Sequence, residues 1–419
     1  MQKEDADMKP IGRREFIQGG ALAGGVLAAG GALLTSRVAF AATGGDARLV
    51  VVILRGALDG LSAVPPYGDA DYGRLRGELA LAPPGSSDGA LRLDGTFALH
   101  PSLSFLHDAY GAGELVVFHA VASPYRERSH FDGQDVLENG TVRPHALQSG
   151  WLNRALEALP EAARRERKEL GVALGQNVPL VMRGQAQVAS WSPSRLASLD
   201  EDTLQRITDL YAADPLLSQR LADALAADQI ASGDGMDAKA MGGQAGGAGR
   251  YTELIRATAG FLRSDSGPRV AVFDTIGWDT HANEGGARGR LAAQLTALDT
   301  GIKTLRDELG PAWQKTAVIA VTEFGRTAAI NGTRGTDHGT ATAAFLVGGA
   351  VRGGRVVADW PGLSNRALYE QRDVAPTLDV RAIFKGALQE HLGVPVRALD
   401  AQVFPDSGGV KPVKDLFRA

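Results

Sequence analysis

Five continuous aliphatic runs, separated by segments with helical periodicity, govern the fold that this chain can adopt. Such runs are typical of strands buried on both faces of a parallel sheet, because an exposed face would place polar residues at alternate positions. Strands that alternate with long amphipathic helices form a doubly wound sheet. The pattern therefore predicts an α/β fold, with a mostly parallel sheet and helices on both faces. The runs are Arg48–Leu54, Leu115–Val121, Val270–Phe273, Ala317–Thr322 and Ala343–Val347.

The longest helical pattern runs from about Ala287 to Leu309. Aliphatic side chains recur there every three or four residues, which is the spacing of one helix face. Gly310 and Pro311 follow and are typical of a helix end.

The region 160–250 has a different character from the rest of the chain. It is more polar, and its stretch 232–249 is rich in glycine, which predicts a mobile loop. We therefore expect residues 42–419 to form a single α/β domain, in which 160–250 is an insertion that caps the sheet.

The composition excludes several classes of protein and site. A formal net charge of −4 over 419 residues provides no basic surface for nucleic acid. The chain contains no cysteine, so disulfides, thiolate metal sites and cysteine nucleophiles are excluded.

The N-terminus resembles a twin-arginine export signal, because Arg13 and Arg14 precede a weakly apolar stretch, Gly19–Leu34. Small residues precede position 42, so we predict that residues 1–41 are removed by signal peptidase after Ala41. The alternative is a membrane anchor, but the stretch is short and rich in glycine for that role. We expect a periplasmic or exported protein without a stable anchor, whose export partners are the twin-arginine translocase and signal peptidase.

Reactive side chains follow the predicted strands, where open parallel sheets bind ligands. After the first strand, Asp59 either satisfies the amides of a turn or binds a metal. After the second strand, Ser129 begins a helix whose amides suit a phosphate, and it can cap that helix at the same time. Arg126 and Arg128 are the nearest cations for an anionic substrate.

Two further segments combine acidic and basic groups. Asp279 and His281 are two residues apart, so both side chains point the same way in extended backbone and can share one ion. Glu323 can bind a cation and Arg326 can hold an anion, although a surface ion pair would give the same pattern.

His338 and Asp337 precede the fifth run, where one can bind an ion and the other orient it. Carboxylates and imidazoles without thiolates suit one or two Mn, Zn or Mg ions. Such an ion would lower the pKa of water or of Ser129, and would polarise a phosphoryl or acyl oxygen.

Together, these motifs resemble an exported bacterial family known as domain of unknown function 1501 (DUF1501), whose layout is similar to the alkaline phosphatase superfamily. The motifs are Asp59-Gly60, Ser129-His130-Phe131-Asp132, Gly277-Trp278-Asp279-Thr280-His281, Glu323-Phe324-Gly325-Arg326-Thr327, Asp337-His338-Gly339 and Arg372-Asp373-Val374-Ala375-Pro376-Thr377. The resemblance covers the mature chain and implies a parallel sheet, usually two metal ions, and a hydroxyl nucleophile at a helix N-terminus.

Carried over by position, the resemblance implies Ser129 as the nucleophile and a set of metal ligands. Those ligands are Asp59, Asp279, His281, Glu323 and His338. Phe324 stands where the superfamily has a histidine ligand, and His130 is the candidate substitute.

The sequence thus predicts a periplasmic metal-dependent hydrolase of phosphate or related esters. Ser129 would attack or position a small anionic ester, and Arg326 would stabilise charge on the transferred group. The alternative, motivated by the missing imidazole, is a non-catalytic exported binding or assembly protein that keeps the fold.

Replacing Arg13 and Arg14 together by lysine is expected to block export, because the translocase reads the arginine pair. Fractionation of cells that produce the tagged protein measures this. Normal accumulation of the double variant in the periplasm would contradict the export signal.

Overall fold

A nine-stranded sheet runs through the centre of the computed structural model, which describes residues 46–165, 169–193, 201–211, 214–232 and 247–418. Two further short strands, β2 and β3, form a separate antiparallel pair. The strands are β1 (Arg48–Arg55), β2 (Leu91–Arg92), β3 (Ala98–Leu99), β4 (Leu115–Ala122), β5 (Gly171–Leu174), β6 (Val188–Trp191), β7 (Val270–Ile276), β8 (Thr316–Val321), β9 (Thr342–Val347), β10 (Arg355–Val357) and β11 (Leu378–Asp379).

The order across the main sheet is β10-β4-β9-β8-β1-β7-β5-β6, and β11 also pairs with β4. β1 lies parallel to both β7 and β8, while β9 is antiparallel to both of its neighbours, β4 and β8. The predicted α/β fold with a mostly parallel sheet is confirmed. Each of the five predicted runs forms a strand, and the fifth run, β9, has the reversed direction.

The residues of β1 between its terminal arginines alternate between two apolar clusters on opposite faces of the sheet, which explains why Leu49–Leu54 contains no polar position. Val50, Val52 and Leu54 belong to one cluster, and Leu49, Val51 and Ile53 belong to the other. A strand that is buried on both sides must be apolar throughout.

Helices cover both of these clusters. The predicted helix is confirmed as α10, whose leucines pack in the first cluster, whereas α5 and α11 contribute to the second. The helices are α1 (Gly60–Ala63), α2 (Tyr72–Arg76), α3 (Ser104–Gly111), α4 (His130–Asn139), α5 (Trp151–Glu157), α6 (Glu161–Arg165), α7 (Glu201–Tyr211), α8 (Pro215–Ser232), α9 (Gly247–Arg263), α10 (Arg290–Leu309), α11 (Val380–Glu390) and α12 (Val396–Ala398).

The region 160–250 contributes to the main sheet. β5 pairs with β7, and β6 pairs with β5, so both strands extend the sheet at one side. The Gly-rich stretch 232–249 falls largely outside the described residues, and its two ends belong to α8 and α9.

Residues 1–45, which include the predicted export signal, lie outside the described part of the chain. By its internal contacts the chain divides after Ala42, and residues 43–419 form one compact unit. Among the described residues, no helix combines the length and the apolar character needed to cross a membrane.

Leu295→Ala is expected to lower the free energy of unfolding by about 2–5 kcal/mol, because the fully buried side chain of α10 would leave a cavity between helix and sheet. Chemical denaturation of the mature chain measures the change. Thr300→Ala, at an exposed position of the same helix, is the control and is expected to change stability by less than about 0.5 kcal/mol. Equal effects of the two substitutions would contradict the packing of α10 described above.

Candidate metal centre

Four loops meet at the carboxyl edge of the sheet. The segments after β1, β4, β7 and β8 start there because these strands share one direction. β9 runs the opposite way, so the segment that precedes it arrives at the same edge. This reversal is what brings His338, which lies before β9, to segments that follow other strands.

Three imidazoles and one carboxylate converge at this edge, and we call them the histidine cluster: His130, Asp279, His281 and His338. Ligand atoms of His130, Asp279 and His338 all lie within 4.8 Å of one another. His281 Nε2 lies 2.9 Å from His338 Nε2 and 3.0 Å from Asp279 Oδ1. Asp279 also lies 3.3 Å from His338 Nε2 and 3.5 Å from His130 Nε2.

Each imidazole of the cluster is oriented through its Nδ1 atom, which faces an oxygen that can only accept a hydrogen bond. In a neutral ring Nδ1 therefore carries the proton, and Nε2 directs a lone pair into the cluster. Within the described part of the chain, His130 Nε2 is buried and has no hydrogen-bond partner. The acceptors are Glu323 Oε1 at 2.8 Å from His130, Asp337 Oδ1 at 3.3 Å from His281, and the Arg128 carbonyl at 2.9 Å from His338.

This arrangement fits a divalent cation. The Nε2 atoms of His281 and His338 lie 2.9 Å apart, so two neutral rings with facing lone pairs would repel each other unless a proton or a cation lies between or beside them. Four donors placed tetrahedrally around zinc lie about 3.4 Å from one another, close to the separations of Asp279 from the three imidazoles and of His281 from His338. Three imidazoles with one carboxylate suit Zn better than the oxygen-preferring Mg.

Glu323 lies behind His130. The carboxylate is fully buried and accepts hydrogen bonds from the Gly56 amide, Gln134 and Thr322 in addition to its contact with His130. Burial alone would raise the pKa of Glu323, but the bonds from His130, Gln134 and Thr322 hold it below its ordinary value. The same contact with Glu323 raises the pKa of His130. In these contacts His130 faces the other members of the cluster and Glu323 orients its ring, whereas the sequence suggested Glu323 as a ligand and His130 as a substitute.

Arg326 supports Asp279. Its guanidinium is buried and donates to Asp279 Oδ1, to the Thr336 carbonyl and, at 3.2 Å, to the Thr336 hydroxyl. Burial alone would raise the pKa of Asp279, but the hydrogen bond and charge of Arg326 lower it. The role expected of Arg326, contact with substrate charge, has no support in these contacts, because the guanidinium is enclosed by protein groups.

Asp59 lies outside the histidine cluster. It is the N-cap of α1, where Oδ1 accepts from the Ser62 amide at 3.0 Å. Oδ2 accepts from Arg76 at 2.7 Å and from the Thr336 hydroxyl at 3.2 Å. The carboxylate therefore satisfies a turn amide, one of the two roles left open by the sequence, and its use as a metal ligand has no support in these contacts.

The cations expected for substrate are engaged within the protein. Arg126 donates to the carbonyls of Ser123 and Tyr125, and Arg128 donates to Asp373 and Glu370. Ser129, as expected, lies at the N-cap of α4, directly before His130, and its side chain makes no capping bond.

A buried ionic network that the sequence did not indicate lies beside the cluster. Arg76 pairs with Asp59 and lies 3.6 Å from Glu284, and both Ser62 and Thr336 donate hydroxyl bonds to Glu284. Neither Arg76 nor Glu284 belongs to a strand-end motif, which is why sequence reasoning missed them. Through Thr336 the network supports Arg326, and through Arg326 it supports Asp279.

The chain matches the profile of a known protein family. The sequence profile of the family described as "Protein of unknown function (DUF1501)" matches residues 46–403. No curated protein matches the chain.

Solved structures resemble it at low identity. The C-terminal periplasmic domain of EcEptC from Escherichia coli, in complex with Zn, has 10% identity and a TM-score of 0.34, with 73% of this chain and 74% of that chain covered. The phosphonate monoester hydrolase of Agrobacterium radiobacter has 12% identity and a TM-score of 0.36, with coverage of 83% and 74%. A TAB5 alkaline phosphatase mutant with Mg bound has 14% identity and a TM-score of 0.31, with coverage of 72% and 90%. Likenesses this distant carry no argument about activity.

Glu284→Gln is expected to raise the free energy of unfolding, relative to wild type, by an amount that grows as pH rises. Burial, together with the charge of Asp59, raises the pKa of Glu284 from 4.5 to about 7. Between these values the native carboxyl holds its proton while the unfolded one has lost it, so stability falls as pH rises, and the amide removes that loss. The relative gain is expected to reach up to about 3 kcal/mol near neutral pH.

Denaturant unfolding between pH 4.5 and 7.5 measures this difference. Glu78→Gln, at an exposed position, is the matched control and keeps the wild-type pH profile. A constant difference between Glu284→Gln and wild type across the range would contradict a raised pKa at this position.

Proposed function

This chain belongs to the DUF1501 family, as its motifs indicated, and we propose that it is a periplasmic, divalent-metal-dependent hydrolase of phosphate or related esters. The histidine cluster carries the proposal. Ligand atoms of His130 and His338 lie beside the Asp279 carboxylate, and the His281 imidazole contacts both His338 and Asp279. Within the described residues, His130 Nε2 is buried without a hydrogen-bond partner. A divalent cation would give this buried nitrogen a partner.

His130, Asp279, His281 and His338 would hold the ion, and zinc fits the donor set best among Mn, Zn and Mg. Their outer partners are Glu323, Asp337, Arg128 and Arg326, and such partners fix ligand orientation in metal sites. A bound cation would polarise an ester oxygen and lower the pKa of a hydroxyl or of water.

Ser129 is the proposed nucleophile. It directly precedes His130 in the chain, so its hydroxyl is carried by the same helix start as a metal ligand. The first amides of α4, a helix of ten residues, supply a positive end toward which an anionic ester is attracted. This location supports a small anionic substrate without the free arginines that the sequence suggested.

The predicted twin-arginine signal is consistent with the proposal. The twin-arginine route carries folded cargo, so a metal can be inserted before export. The net charge of −4 is consistent with a small-molecule substrate and gives no basis for nucleic-acid binding.

The proposal is tested on purified mature chain by metal analysis and by a screen of phosphomonoesters, phosphodiesters and sulfate esters with Zn or Mn added. Wild type is expected to bind about one zinc ion and to hydrolyse p-nitrophenyl phosphate or its diester. Asp279→Ala and His281→Ala are expected to lose both metal and activity. Ser129→Ala is expected to keep the metal and to lose at least about 100-fold in kcat/KM.

His107→Ala is the matched control, because this histidine contacts the Arg92 carbonyl away from the cluster. It should behave as wild type in both assays. Unchanged metal content in the Asp279 and His281 variants would eliminate the site. Full metal occupancy without turnover of any ester would instead favour the binding or assembly protein.

A further inference from the structure

We propose that a cavity beside the histidine cluster binds a polyhydroxylated group, such as a sugar or polyol, carried by the ester; this rests on the proposed hydrolase function. The cavity has a volume of about 260 Å³ and lies between the segment that follows β8 and the turn at 365–372. We call it the amide cavity, because Asn331, Asn365 and Gln371 line it.

The walls of the amide cavity are bonded to members of the histidine cluster. Asp337 lines the cavity and orients His281 through Nδ1. Asn331 donates to Asp337 at 3.0 Å and to the His281 carbonyl at 2.9 Å. Arg372 donates to the His338 carbonyl at 2.7 Å. A molecule in this cavity would lie against the groups that hold two of the imidazoles.

The charges that line the cavity favour a neutral, polar occupant. Asp337 and Arg372 both line it, with side chains 54% and 39% exposed. A strongly anionic group would meet the carboxylate, and a cationic group would meet the guanidinium. A ligand that both donates and accepts hydrogen bonds suits the pair, and hydroxyl groups do both.

The side-chain amides that line the cavity also favour a neutral, polar occupant. In the described part of the chain, the side chains of Asn365 and Gln371 make no hydrogen bond, so their donors and acceptors are available at the cavity wall. Each amide has two donor hydrogens and one acceptor oxygen, which match neighbouring hydroxyls. The remaining wall is apolar, with Leu75, Ile330 and Leu368 placed to cover the C–H face of a ring or chain.

The turn that presents Gln371 is held in an uncommon conformation. Glu370 and Gln371 both have positive φ, 53° and 55°, a conformation that non-glycine residues rarely adopt. Arg128 binds Glu370 and the adjacent Asp373, so the strain is supported by contacts. A strained turn that is fixed in place beside a reactive cluster is typical of a preorganised binding wall.

The first test measures binding of D-glucose to the full mature chain by saturation-transfer NMR and calorimetry, without any ester. Asn365→Leu removes an amide, and Ala329→Trp fills the cavity from an exposed wall position. Each variant is expected to raise Kd for glucose at least about tenfold, the loss expected for one or two hydrogen bonds. Gln314→Leu, an exposed amide before β8 at the opposite edge of the sheet, is the matched control and keeps the wild-type Kd.

The second test compares kcat/KM for glucose 1-phosphate with that for p-nitrophenyl phosphate, which has no hydroxyls on its leaving group. Their ratio is expected to fall about tenfold in Asn365→Leu and Ala329→Trp, and to stay constant in Gln314→Leu. An unchanged ratio in both cavity variants, or wild type that binds no glucose, would overturn the proposal. Cavity-dependent glucose binding in a protein that hydrolyses no ester would support the amide cavity and reject the hydrolase.

Discussion

The orientation of three imidazoles through their Nδ1 atoms is the interaction on which the candidate site depends. A carboxylate behind His130, a carboxylate behind His281 and a backbone carbonyl behind His338 each fix one ring. Without these acceptors, each ring could turn or change its tautomer, and the lone pairs would no longer meet. Burial of Glu323 adds to this, because a carboxylate held in a low-dielectric environment attracts the Nδ1 proton strongly.

The buried charged residues behind the cluster support it through a series of hydrogen bonds. Arg76, Asp59 and Glu284 are fully buried, and burying ionic groups usually contributes little net stability. Their hydroxyl partner Thr336 also holds Arg326, which in turn holds Asp279. The network therefore keeps Asp279, the carboxylate of the cluster, at a fixed place. Buried ionic groups of this kind depart from the usual pattern of burial, and such departures are expected at functional sites.

Sequence patterns predicted the sheet well because a strand buried on both faces must be mostly apolar. β1, β4, β8 and β9 are mostly apolar and buried, as are the first four residues of β7. The direction of β9 could not be predicted from sequence patterns, since an apolar run has the same pattern in both directions. Asp279, His281 and His338 were expected together from strand-end positions. The sequence offered His130 as a substitute ligand but could not show that it, and not Glu323, faces Asp279 and His338, because this depends on how α4 packs over Phe324.

The location of the amide cavity suggests how binding and chemistry are linked in one structure. Asp337 orients the His281 imidazole through its Oδ1 atom, and the exposed part of its side chain lines the cavity. Arg372 lies in the same wall and donates a hydrogen bond to the His338 carbonyl. A group bound there would restrict the side chains that position His281 and His338. Binding energy from a remote part of a substrate would then act on the geometry of the reacting centre, which is how such energy raises a rate and not only an affinity.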